Sequence, residues 1–224
     1  MIILTSLGKN KRLICFFIAL ILFVSCAKEE RKDSSTMGFT SPSFQTIQVN
    51  NNILKELSFE DKQGFLDANK GFIAKSSKMQ IHHKNAQSVV WDLPAYEFIK
   101  GEAPHSVNPS LWRQEKLNNI HGLFEVTDGV FQLRGYDLSN MTIIEGKNGW
   151  IVVDPLTSTE TAEKAIELFR THLGEEPISA IIFTHSHIDH FGGVSALGEK
   201  LDIPIIAPLG FIREATSENI MTGI

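Results

Sequence analysis

Thr184-His185-Ser186-His187-Ile188-Asp189-His190-Phe191-Gly192-Gly193 places three of the chain's eight histidines and one carboxylate within six residues. The run before it, Ile178-Ser179-Ala180-Ile181-Ile182-Phe183-Thr184, is dominated by Ile and Phe, the composition of a strand buried on both faces. After it, Gly192 and Gly193 are expected to open a helix through Lys200, and Ile203 to Ala207 reads as another buried strand. On an extended backbone His185 and His187 project to the same side and can share one cation. Asp189 and His190, adjacent where the chain bends toward the glycines, can address a second. Imidazole nitrogen with carboxylate oxygen suits Zn²⁺, and also Mn²⁺ or Fe. Two such ions close together acidify a bound water and clamp attacking and leaving oxygens, which is the chemistry of hydrolysis. The alternative is a surface loop that happens to be rich in histidine. The strand before the cluster and the glycines after it favour a site, because open α/β sheets carry their sites at the carboxyl ends of strands.

Toward the N-terminus, Gly122 to Val126 and Val130 to Arg134 flank a Thr127-Asp128-Gly129 turn, which is a hairpin signature. Met141 to Glu145 and Trp150 to Val153, joined across Lys147-Asn148-Gly149, form a second. Thr157 with Glu160 predicts a capping box for a helix to about Leu173, ended by Gly174. Asp154, at the end of a strand, reads equally as a group orienting a histidine and as a turn former before Pro155. Hairpins followed by strand, helix, strand, helix, strand indicate an α/β layered domain. Further upstream, Ile53, Leu54 and Leu57, then Phe65, Leu66, Phe72 and Ile73, predict helices between Asn50 and Ala74, with a start at Ser58-Phe59-Glu60-Asp61. Pro94, Pro104 and Pro109 predict an irregular stretch from Trp91 to Trp112, wrapped on the core. Trp91, Trp112 and Trp150 read as core residues, and Arg134 and Asn140 as structural. His82, His83, His105, His121 and His172 read as surface or packing residues.

The chain has 224 residues, 42% of them hydrophobic and 21% charged, with a mean hydropathy of -0.03, which excludes a polytopic membrane protein. With 21 basic against 26 acidic residues it lacks the basic balance that nucleic-acid binding needs. Lys9, Lys11 and Arg12 precede an uncharged apolar run from Leu13 to Val24, then Ser25-Cys26-Ala27. That order reads as a secretory signal over residues 1–25, too short to span a bilayer. Leu22-Phe23-Val24-Ser25-Cys26 resembles a bacterial lipobox, which implies lipidation of Cys26 and a periplasmic or outer-membrane lipoprotein held only by its anchor. Removal of the three cations would take the net charge from -5 to -8. The two cysteines, Cys15 and Cys26, leave none for an internal disulfide. Residues 26–49 are expected to be a flexible spacer, 50–120 an N-terminal extension, and 121–224 the first part of the layered domain.

His-x-His-x-Asp-His after an apolar strand resembles the metallo-β-lactamase superfamily. Val90-Trp91-Asp92-Leu93, Gly101-Glu102-Ala103-Pro104, Val107 to Gln114, Gly122 to Val126 and Arg134 to Met141 further resemble its bacterial alkyl/aryl-sulfatases, over about Asn50 to the end. The resemblance implies an αββα sandwich, two zinc ions, and hydrolysis of a linear alkyl sulfate such as dodecyl sulfate by a water or hydroxide between the metals. It places His185 and His187 on one zinc, and Asp189 and His190 on the other. It further implies a homodimer for the full-length family, and two glutamate ligands and one histidine ligand downstream of Ile224. By that comparison the chain is expected to be an N-terminal fragment, inactive alone, with apolar strand faces near Ile181 and Ile205 lacking cover. Another hydrolase of the superfamily, such as a lactonase, β-lactamase or thioesterase, is the alternative, although those normally lack the stretch from Trp91 to Met141. A non-catalytic lipoprotein remnant is the third reading.

Overall fold

Four consecutive strands build the centre of the molecule: β4 (Gly122–Thr127), β5 (Val130–Arg134), β6 (Met141–Gly146) and β7 (Gly149–Val153). Burial alternates in three of them, β5 to β7, where every second side chain turns to one face, while β4 buries its first half and exposes its second. Antiparallel pairing aligns Leu123 with Leu133 and Leu133 with Met141, and in the next row Phe131 with Ile143 and Ile143 with Val152. Parallel pairing then sets Val152 beside Ile181 of β8 (Ile178–Ile182). Leu123, Leu133, Met141, Ile143, Val152 and Ile181 are all fully buried. The described residues of this computed structural model are 40–198 and 202–222. The expected signal peptide, Cys26 and most of the expected spacer therefore lie outside them. Among the described residues no helix is long and apolar enough to cross a membrane.

The sheet has seven strands in the order β1-β4-β5-β6-β7-β8-β9, antiparallel through β7 and parallel beyond it. The first of these, β1 (Phe72–Ala74), corrects the helical expectation for Phe72 and Ile73. It is an edge strand paired with β4, and that long-range pairing overrides the local helical periodicity. Helices α1 (Phe44–Glu56) and α2 (Gln63–Asn69) do occupy the earlier part of the predicted stretch. Because α1 begins at Phe44, the last six residues of the expected spacer are helical.

The Trp91–Trp112 stretch is also more regular than its prolines suggest. β2 (Gln80–His82) and β3 (Val89–Asp92) form a separate hairpin, followed by a 3₁₀ turn at Leu93–Tyr96. Pro109 then starts α3 (Pro109–Asn118) rather than breaking it, since its missing N–H falls where a helix has no use for one. Asn108 caps that helix, its Oδ1 accepting from the Ser110 N–H at 2.8 Å. The extension is stitched to the core: Met79 and Leu93 join it, and the Trp91 indole donates to the Gly135 carbonyl at 2.9 Å.

Tyr136 is wholly buried, and its phenol oxygen lies 2.9 Å from the Ser76 hydroxyl and accepts from the Ser76 N–H at 3.2 Å. Burial pushes the phenol above its ordinary value, and the Ser76 bonds pull more weakly the other way. A pKa raised on folding means that the folded state holds its proton longer, so this contribution to stability is intact below about pH 10 and fades above it. Tyr136→Phe should therefore show a shallower loss of melting temperature than the parent between about pH 9 and 11. Parallel slopes for the two proteins would contradict this.

One face of the sheet is covered by α4 (Thr159–Leu173), through Ala162, Ala165, Ile166 and Phe169 at helical spacing. Phe169 meets Trp150 and Phe131 edge to face, with ring centroids 4.9 and 5.8 Å away. The capping box is one residue later than expected, at Ser158 and Thr161, and Gly174 at φ 104° ends the helix as predicted. Thr157 is instead bound by the buried Asp137 carboxylate, which also accepts from the Thr161 hydroxyl. The strand expectations near the site need three corrections. In β8 only Ile181 is fully buried, because α4 covers one face and leaves the other partly open. β9 is reduced to Ile205–Ile206 and is exposed, since it is the sheet's edge. Gly192–Leu197 is a 3₁₀ helix that stops before Gly198, short of the expected Lys200.

Candidate metal centre

Parallel pairing brings the carboxyl ends of β7 and β8 side by side, and the site grows from that junction. Asp154, just past β7, donates its N–H to the Ile182 carbonyl at 3.0 Å. Its buried carboxylate accepts from the Thr184 N–H at 2.8 Å and the Thr184 hydroxyl at 2.6 Å. The same carboxylate lies 2.8 Å from His190 Nδ1. Asp154 also has φ 53°, a conformation that Asp and Asn tolerate better than most residues. Both readings of this residue hold: it forms the turn before Pro155 and it orients a histidine.

The four predicted residues meet in one cluster, though not on an extended strand. The backbone bends at His185 and Ser186, and Asp189 and His190 lie on a single 3₁₀ turn, Ile188–His190. His185 Nε2 and His187 Nδ1 are 3.1 Å apart, and Asp189 Oδ2 and His190 Nε2 are 3.2 Å apart. The His185 ring centroid is 4.0 Å from that of His190. Two ligands of a tetrahedral ion, each about 2.0–2.1 Å from it, stand about 3.3 Å apart. Both pairs therefore have the spacing of two donors to one ion, and the donor set fits zinc. Among the described residues, no three His, Cys, Asp or Glu side chains are placed to hold one metal ion.

Each ring nitrogen left outside those pairs has a neighbour. His190 Nδ1 faces Asp154, His185 Nδ1 lies 2.9 Å from the Thr184 hydroxyl, and His187 Nε2 lies 3.5 Å from Glu218 Oε1. Metal-ligating histidines are commonly steered by such partners, usually a carboxylate or a carbonyl. Glu218 arrives on α5 (Phe211–Thr222), which is moored where Phe211 stacks on Phe183 and meets Phe191 edge to face, centroids 5.4 and 5.1 Å away. From the other side, the Ser139 hydroxyl donates to the Asp189 carbonyl. Its loop is fixed by Asp137, which accepts from the Thr157 N–H and hydroxyl at 2.9 and 2.7 Å.

Sequence reasoning did not find Asp137, Ser139 or Glu218 as parts of this arrangement. Their partners lie 20 or more residues away, and single polar residues carry no periodic signal. The remaining histidines follow expectation: His121 and His172 lie near backbone carbonyls at 3.1 and 2.9 Å, and His83 lies 3.7 Å from Glu160. Arg134 packs over Phe124, 4.4 Å from its centroid, and binds Gln132, which makes it structural; burial lowers its pKa. Gly193 lets the ligand loop lie flat on the β7–α4 connection, since a Cβ there would meet the Pro155 and Ser158 carbonyl oxygens at 2.2 and 2.6 Å. Gly193→Ala should therefore cost about 1–3 kcal/mol, read from urea unfolding. A neutral substitution would mean that the loop does not pack as described.

The profile of the metallo-β-lactamase superfamily matches residues 134–217, which contain every donor described above except the orienting contact of Glu218. Over these residues the α/β layers described above match that superfamily's profile. Within the superfamily the chain is a relative of the alkylsulfatases. It is 50% identical over 185 residues to a linear primary-alkylsulfatase of a Pseudomonas species, a match covering 80% of this chain and 27% of that one. It is 45% identical over 184 residues to an alkyl/aryl-sulfatase of Saccharomyces cerevisiae, covering 80% and 28%. The solved structure of a stereoselective inverting sec-alkylsulfatase from Pseudomonas sp. superposes with a TM-score of 0.75 at 45% identity, covering 83% of this chain and 30% of that chain. The chain thus spans little more than a quarter of the length of the curated relatives it matches.

Proposed function

We propose that this chain supplies half of a binuclear zinc site for the hydrolysis of alkyl sulfate esters to alcohol and hydrogen sulfate. The observation that carries the reading is the pair of donor pairs, His185 with His187 and Asp189 with His190, in a chain related to alkylsulfatases. When bound, zinc at such a site acidifies water and offsets negative charge on the ester's oxygens. The chain's own part is positional. His185 Nε2 and His187 Nδ1 are held 3.1 Å apart, Asp154 holds the His190 ring by its far nitrogen, and Ser139 fixes the backbone at Asp189. Against a lactonase, β-lactamase or thioesterase stand the identities of 45–50% to sulfatases, which extend through the region upstream of the superfamily match.

Two donors per ion are fewer than the three protein ligands usual for catalytic zinc. Competition against a chromophoric chelator should accordingly show weak zinc binding by this chain, lost in a His185→Ala, Asp189→Ala double variant. Alkyl sulfate turnover, read as sulfate release, should need ligands beyond these four. Tight uptake of two equivalents would overturn the half-site reading, and no uptake at all would remove the metal.

We further propose export of the chain, with a lipid on Cys26 as its membrane attachment. The basic, apolar and small-residue order of residues 9–27 supports this. An intact mass of the mature N-terminus without acyl groups would refute it.

A further inference from the structure

A pocket of about 350 Å³ lies in the N-terminal extension, lined by residues of α1, α3 and the segments between, none of them from the metal centre. Its volume falls at the small end of the range of about 300–1,000 Å³ for small-molecule sites. Leu54, Phe59, Phe65 and Trp112 give it apolar walls, and Leu54 remains half exposed. Arg113 and Lys116 line the same pocket and converge on one ring, Arg113 Cζ at 5.2 Å and Lys116 Nζ at 5.9 Å from the Phe65 centroid. Among the described residues each donates to a backbone carbonyl, Arg113 to Asp61 at 3.2 Å and Lys116 to Gly101 at 3.1 Å. Among the described residues neither cation has a carboxylate within 4.0 Å, although Glu102 also contributes to the lining.

Two like charges held close together beside apolar walls, without an anionic partner, repel one another, and an anion between them would relieve that repulsion. A guanidinium presents parallel N–H donors that match a tetrahedral oxyanion, and the ammonium adds a point charge. The walls give an alkyl tail somewhere to leave water. We propose that this pocket binds a single-tailed amphiphile with a sulfate-type monoanionic head, the head on Arg113 and Lys116 and the tail along Leu54, Phe65 and Trp112. The ligand class matches the substrate proposed above, but binding here is separate from the metal centre and independent of turnover.

Decanesulfonate is the probe, because its C–S bond is not a sulfate ester and binding can be read apart from hydrolysis. It would be titrated into the full chain below its micelle concentration, by calorimetry and by tryptophan fluorescence. Saturable binding of one equivalent is expected, weakened about tenfold or more in Arg113→Gln, Lys116→Gln and unchanged in a His185→Ala, Asp189→Ala variant. Decanol should bind at least about tenfold more weakly than the sulfonate, since it lacks the charge. Far-ultraviolet circular dichroism of each variant checks its fold, and Phe65→Leu, which keeps the apolar wall but removes the ring beneath both cations, is a second variant expected to weaken binding. Equal affinity in the parent and the Arg113, Lys116 variant, equal affinity for decanol, or uptake without saturation would each overturn the proposal. Loss of binding only in the His185, Asp189 variant would assign the sulfonate to the metal centre and overturn it as well.

Discussion

Alanine at position 154 should lower the unfolding free energy by about 2–4 kcal/mol and weaken metal binding about 10- to 100-fold. The stability loss arises because the buried Asp154 carboxylate receives the N–H and hydroxyl of Thr184 across the β7–β8 junction, and alanine removes both bonds together with the contact to His190. Alanine is also less at ease than Asp at φ 53°. The metal effect has a separate origin, in the 2.8 Å contact with His190 Nδ1 that fixes which ring nitrogen faces Asp189. Asp154→Asn separates the two. Asparagine tolerates the backbone and still accepts from Thr184, but it has one carbonyl oxygen where the carboxylate had two. It should recover most of the stability and little of the metal affinity, measured by urea denaturation and by zinc competition. Metal affinity unchanged in both variants would show that Asp154 is only a turn residue.

Phe169→Ala is the substitution expected to cost most in folding, about 3–5 kcal/mol. Phe169 is almost wholly buried on α4, and it touches Trp150 and Phe131 edge to face where the helix lies on the sheet. Truncation removes buried apolar area, two aromatic contacts and the filling of the space between layers, which the neighbours cannot fully close. Phe169→Leu should cost only about 1–2 kcal/mol, because it keeps most of the volume and loses mainly the ring geometry. The midpoint of urea unfolding, followed by tryptophan fluorescence, reads both. A loss below about 1 kcal/mol for the alanine variant would mean that α4 does not seal this face.

The parts of the molecule readable from sequence are those whose signal is local. The four donor residues declare themselves by density, and the β4 to β7 strands by short apolar runs flanking glycine-containing turns. The α4 stop at Gly174 is equally local. Failures occur where distant partners decide. Phe72 and Ile73 continue a helical spacing set by Phe65 and Leu66, yet pairing with β4 turns them into a strand. Thr157 has the composition of a helix cap, but Asp137, twenty residues earlier, claims it and Ser158 takes the role. Ile205 and Ile206 carry the apolar character of a buried strand and are exposed because β9 is the sheet's edge, whereas Ile181, one strand further in, is fully buried. Glu218 offered no local clue, since only the packing of Phe211 against Phe183 and Phe191 carries its helix to His187.

The consecutive pairing of β4, β5, β6 and β7 also sets an order in time. Each of these strands bonds to its immediate neighbour in sequence, so their loops are short and close within microseconds, whereas β1 must wait for a partner some fifty residues away. The ligand loop from His185 to His190 leaves β8, which pairs with the meander only through its β7 edge, so the loop's position rests on that one parallel seam.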